Sequence, residues 1–127
     1  MSGRVVHFEI PADDIERARA FYGEAFGWSI TPMPEMNYTV VSTAEADETG
    51  VPKERGAING GMMARQGQIT APVVVIESDD IDAALQAVEK LGGATVEPKM
   101  PVGEMGFAAY FSDTEGNVVG LWQNAQR

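Results

Sequence analysis

The stretch VHFEIPADDIERARAFYGEAFGW, residues 6–28, decides the fold, because the chain carries a second version of it, VVVIESDDIDAALQAVEKLGGAT, residues 73–95. Asp13, Asp14, Ile15 and Ala18 align with Asp79, Asp80, Ile81 and Ala84 at an offset of 66. A slip of one residue aligns Phe26-Gly27 with Leu91-Gly92, and Pro32 then matches Pro98, back at 66. Internal similarity of this kind marks a duplicated supersecondary unit.

Each copy reads the same way. A short strand, Val5–Ile10 or Val73–Glu77, leads into a helix opened by an acidic pair. Asp13 with Glu16 fits a capping box. Ile15, Ala18, Phe21, Tyr22 and Ala25 recur at helical spacing in the first copy, and Ile81, Ala84, Leu85, Val88 and Leu91 in the second. Gly27 and Gly92 stand where helices close. Three strands follow in each half: about 29–31, 38–42 and 58–64 in the first, and 95–97, 107–112 and 118–123 in the second. TEGN, residues 114–117, is a turn between the last two.

The predicted fold is therefore α+β, two β-α-β-β-β modules within a single domain spanning 1–127, module one at about 4–64 and module two at about 71–123. A helix on one face of each sheet leaves the other face free, and a curved mixed sheet can wrap that face around a ligand cup. The halves differ most at AEADETGVPKERGA, residues 44–57. This polar segment reads as a solvated, partly disordered hairpin loop in preference to a lid.

Composition excludes several functions. The formal net charge is −10, with no Lys/Arg cluster to offset it, so nucleic acid and anionic membranes are not expected as partners. With no cysteine there is no disulfide, thiolate metal site or Cys nucleophile. No stretch approaches a membrane span and MSGRVVHFEI lacks a long apolar core, so the expected location is cytoplasmic.

The two modules, the first strand with its helix, and the closing FAAYFSDTEGNVVGLWQ together resemble the vicinal oxygen chelate superfamily, which includes glyoxalase I, extradiol dioxygenases and bleomycin-resistance proteins. The resemblance runs from about Arg4 to Gln123. It implies metal-ligand positions on the first and last strand of each module, which fall here on His7, Gly61, Val73 and Gly120. Glycine and valine have no side-chain donor, whereas a catalytic zinc or iron site takes about three protein ligands. The expectation is accordingly no metal and no cofactor.

Strand alternation then gives a cup lining. His7 carries Val5 and Glu9 with it, Val73 carries Val75, Gly61 carries Asn59 and Met63, and Gly120 carries Trp122. Phe8, Ile10, Val74, Ile76, Val119 and Leu121 face the helices instead. Tyr38, Phe107 and Tyr110 add aromatic edges. The candidate ligand-binding residues are His7, Glu9, Tyr38, Asn59, Met63, Val73, Val75, Phe107, Tyr110 and Trp122, with His7 and Glu9 as a candidate catalytic proton-transfer pair. Each has a plainer reading: a hydrogen-bonded strand histidine, a carboxylate near solvent, ordinary core.

The resemblance implies a protein that binds a small, partly apolar organic ligand without a catalytic metal, as a homodimer. The alternative is a divalent-metal-dependent lyase, isomerase or dioxygenase of the same superfamily.

Overall fold

The structure, a computed structural model, describes residues 3–125. It is α+β as expected: two α-helices and eight strands among the described residues. The order is β1 (Val5–Ala12), α1 (Ile15–Phe26), β2 (Ser29–Met33), β3 (Tyr38–Ser42), β4 (Gly60–Ala64), β5 (Val73–Glu77), α2 (Ile81–Lys90), β6 (Ala94–Val102), β7 (Gly106–Ser112) and β8 (Val118–Asn124), with a 3₁₀ turn at Pro34–Met36. Contacts divide the chain into two compact units, residues 7–72 and residues 73–125, the second also taking in residues 3–6. No helix among the described residues is long and apolar enough to cross a membrane.

In the first unit β1 runs parallel to β4, and β4 pairs antiparallel with β3, which pairs with β2. In the second, β5 runs parallel to β8, followed by antiparallel β7 and β6. The registers repeat as the sequence does. Glu9 stands opposite Gly61 in one unit, and its repeat mate Val75 stands opposite Gly120 in the other.

Helix α1 is capped one residue later than the capping box requires. Asp14, not Asp13, is the N-cap of α1, its carboxylate accepting from the Arg17 backbone N–H at 3.0 Å. Asp13 instead forms an ion pair with Arg65 at 2.7 Å. Asp80 does for α2 what Asp14 does for α1, accepting from Ala83 N–H at 3.1 Å. Gly27 closes α1 at φ 72°, a left-handed conformation that favours glycine. The N-terminal turn of α2 is also tied to its sheet: Gln123 Oε1 accepts from Ile81 N–H at 2.8 Å.

Packing follows the expected alternation in the second unit. Ile81 and Leu85 of α2 meet Ala109 and Leu121, with Ile76, Ala84, Phe107 and Phe111 around them. Val74, expected in this core, is instead half exposed. In the first unit Val41 and Met62 are fully buried. They lie on the face that α1 reaches through Arg19, whose guanidinium donates to Thr39 Oγ1 at 3.3 Å. The helix itself buries no residue completely. Phe21 is 59% exposed, against the inward position its spacing predicts. It packs along the helix, edge-on to Tyr22 at 5.1 Å, while Tyr22 stacks flat on Trp28 at 5.0 Å. Leu91 is also exposed, because it caps α2 and no longer follows the helical face.

Two segments are more ordered than the sequence suggests. The loop 44–57 is closed by its own bonds: Ala46 bridges Pro52, and the Asp47 carboxylate accepts from the Thr49 and Val51 backbone N–H groups and the Thr49 hydroxyl. Strand β6 covers Ala94–Val102, far beyond the predicted 95–97. The strand accommodates two prolines: Pro98 falls in a register irregularity between Glu97 and Met100, and β6 is the last strand of its unit's sheet, where proline is tolerated.

Candidate functional site

Alternation along β1 sends His7 and Glu9 to one face and Phe8 to the other, where Phe8 meets Trp28 at 5.8 Å between ring centroids. On the first face a third side chain joins the two. Tyr38, the first residue of β3, lies between them: its hydroxyl donates to Glu9 Oε2 at 2.9 Å and lies 2.9 Å from His7 Nε2. Glu9 is 7% exposed.

Proton counting sets the roles. A hydroxyl has one proton. With that proton given to Glu9, the Tyr38 oxygen accepts from His7, so Nε2 carries the hydrogen and Nδ1 is left as the acceptor. The cluster is thus a directed chain, imidazole to phenol to carboxylate. Burial pushes the His7 pKa below its ordinary 6.5, and the smaller opposing effect is attraction to the Glu9 charge. The imidazole is therefore neutral at neutral pH and able to take up a proton.

This depression makes stability depend on pH in a definite sense. As pH falls through about 6.5 the unfolded chain protonates His7 before the folded protein does. The stability contribution is present above that value and is lost as pH drops toward the folded pKa. Between about pH 7.5 and pH 5.5, wild-type protein is expected to lose more thermal stability than His7→Gln. Parallel melting curves across that window would remove the basis for a buried, neutral His7.

A metal does not fit this arrangement. Of the donor atoms that could bind one, His7 Nε2 and Glu9 Oε2 are both engaged by the Tyr38 hydroxyl. The residue opposite Glu9 is Gly61, which has no donor. Among the described residues no three His, Cys, Asp or Glu side chains gather as a metal site would need.

The remaining predicted residues fall into separate places. Met63 is buried on the same side of β4 as Gly61. Asn59 is occupied with backbone groups: its Oδ1 accepts from Thr43 N–H at 2.7 Å and Ala44 N–H at 3.1 Å, and its Nδ2 donates to the Ala44 carbonyl at 3.2 Å. Its amide fastens the end of β3 to the start of β4. In the other unit Val73, Val75 and Tyr110 surround Gly120, an apolar counterpart of the His7–Glu9 face. Trp122 lies over Gly106 and donates from Nε1 to Asn124 Oδ1 at 2.8 Å.

Phe107 does not belong with them. It packs against the core cluster beneath α2, with the Lys99 ammonium 4.6 Å from its ring centroid. Phe107 and Tyr110 are three apart on one strand, so they point to opposite faces; only Tyr110 lies beside Gly120. Sequence reasoning also missed the hydroxyl of Tyr38 as a bridge, treating the residue as an aromatic edge. The available signal was the Gly60-Gly61 pair, which leaves a strand with no side chains to hold a neighbouring ring away.

Similarity to known proteins agrees with this geometry at the level of family. The family described as bleomycin resistance protein-like N-terminal matches residues 4–44. A glyoxylase-like domain-containing protein from Didymella fabae is 31% identical over 124 residues, covering 92% of this chain and 91% of the relative. The chain belongs to the vicinal oxygen chelate superfamily. A probable lactoylglutathione lyase from Vibrio parahaemolyticus, a further similar protein, is 26% identical, with 98% of this chain and 94% of the relative covered. Among solved structures, a Streptomyces coelicolor methylmalonyl-CoA epimerase variant in complex with 2-nitronate-propionyl-CoA superposes with a TM-score of 0.65 at 14% identity, covering 98% and 96% of the two chains. At that identity the likeness speaks for the superfamily fold alone.

Proposed function

We propose that this member of the glyoxalase/bleomycin-resistance-like group binds a small, partly apolar organic molecule at the His7–Tyr38–Glu9 cluster, and that it does so without a catalytic metal. The observation that carries the reading is the Tyr38 hydroxyl held between His7 and Glu9. It leaves His7 Nδ1 as the acceptor for a ligand proton and links the imidazole to a buried carboxylate. A group that takes a proton there has its positive charge balanced through the hydroxyl, which suits proton transfer to and from a bound molecule.

A thermal-shift screen of small aromatic and carboxylic compounds on untagged protein supplies the test. A compound found this way is expected to bind about tenfold more weakly to folded His7→Ala, a change of about 1.4 kcal/mol. The competing reading is a metal-dependent lyase, isomerase or dioxygenase, which the similarity to a probable lactoylglutathione lyase favours. Elemental analysis after mild dialysis separates the two. Near-equimolar zinc, nickel, manganese or iron, lost in His7→Ala, would overturn the metal-free reading.

The homodimer implied by the family resemblance is part of the same proposal. The large exposed side chains of α1, Phe21 and Phe26, support a surface that association would cover. Light scattering at micromolar concentration is expected to give twice the chain mass, and a clean mass near 13.6 kDa would count against it.

A further inference from the structure

We infer that Gly61 is a positioning residue of the ligand site: its missing side chain is what seats the Tyr38 hydroxyl between His7 and Glu9. The inference rests on the reading of that cluster as the functional site. Gly61 stands opposite Glu9 on one side and opposite Val40 on the other, in the middle of the three strands that carry the cluster. A Cβ built on Gly61 would overlap the Tyr38 hydroxyl oxygen, Cζ and Cε2. The ring therefore lies in the volume that any side chain at position 61 would fill.

Backbone conformation offers no competing reason for a glycine. Gly61 is not among the glycines with positive φ, so an L-residue could adopt its backbone without strain. Space is the remaining reason, and the space is occupied by Tyr38. The neighbouring Gly60 differs in kind, since its Cβ would run into the Phe8 backbone carbonyl as well as the Phe8 ring. Gly60 lets two strands approach; Gly61 admits a side chain.

The other unit has a related arrangement without the polar groups and with its tyrosine less deeply seated. Gly120 holds the matching register opposite Val75, and a Cβ there would lie 3.5 Å from Tyr110 Cε1 and 3.0 Å from Val75 Cγ2. A tyrosine beside a last-strand glycine is thus common to both modules. Only module one combines it with an imidazole and a carboxylate on the first strand. Gly61 acts on the chemistry through Tyr38, by fixing where the phenol oxygen stands relative to His7 Nε2.

His7 is the only histidine in the chain, so the imidazole nitrogen signals of ¹⁵N-labelled, untagged protein report one ring. Tyr38→Phe is expected to change those signals and the midpoint of their pH titration, because Nε2 loses its partner. Gly61→Ala is expected to reproduce both changes in a folded protein, since the obstructing atoms are the far end of a side chain that can swing away. Tyr38→Phe/Gly61→Ala is expected to match either single variant, with no added effect. Wild-type signals in folded Gly61→Ala, with altered signals in Tyr38→Phe, would overturn the role of Gly61 and leave the bridge standing. Unchanged signals in Tyr38→Phe would overturn the bridge, and the role of Gly61 with it. Should Gly61→Ala alone fail to fold, recovery of the fold in Tyr38→Ala/Gly61→Ala supports the assignment and failure to recover overturns it.

Discussion

Replacing Ile81 by alanine is expected to destabilise the protein by about 2–5 kcal/mol, the range for large-to-small changes in a packed core. Ile81 is 0% exposed and touches the core formed by Leu85, Ala109 and Leu121. It is also the first residue of α2, where its own N–H is held by Gln123. The surrounding wall is therefore pinned by a hydrogen bond and by the sheet, which limits how far it can collapse into the space left behind. Urea denaturation measures the loss. Leu91→Ala, at a position 77% exposed, serves as the comparison and is expected to stay within about 0.5 kcal/mol of wild type. A loss below about 1 kcal/mol for Ile81→Ala would mean that this cluster is not the core of its unit.

The second large effect is expected at Gly60. Alanine there places a methyl group against the Phe8 carbonyl and within 2.7 Å of the Phe8 ring. Phe8 is also its register partner across the parallel β1–β4 pair. Neither the carbonyl nor the strand can swing aside, so relief requires the strands to part. Overpacking of this kind costs about 1–3 kcal/mol and occasionally more. Gly61→Ala is expected to cost less, although it is the adjacent residue and also buried. Its clash is with the movable end of Tyr38. Equal losses for the two variants in urea denaturation would refute this distinction.

What the sequence discloses follows from which physical signals are periodic. The repeat at an offset of 66 fixes two modules because strand and helix periods recur within it. Alternation on β1 puts His7 and Glu9 on one side and Phe8 on the other, and the structure has them so. The same rule applied to β7 shows that Phe107 and Tyr110 cannot share a lining, and the aromatic character of both obscured it. Asp13 and Asp14 are chemically equivalent as caps, so composition does not choose between them; in the structure Asp14 caps the helix and Asp13 pairs with Arg65. Pro98 and Pro101 conceal most of β6, since proline stops a strand only where its N–H would have been needed. The Tyr38 bridge depends on the absence of a side chain at Gly61. Reading it from sequence requires knowing which residues stand across from one another, and that is a property of register rather than of any single strand.

Those prolines also bear on how the chain behaves in crowded solution. Pro32 and Pro98, repeat mates, lie on β2 and β6, each the last strand of the sheet within its own unit. An unguarded last strand presents a continuous ladder of N–H and C=O groups that another chain can extend, the first step toward fibrils. A proline on such a strand has no N–H to offer and interrupts that ladder. Each unit carries this interruption on its last strand, so open-ended growth by strand addition is discouraged there, and any pairing of two copies is directed to faces and helices instead.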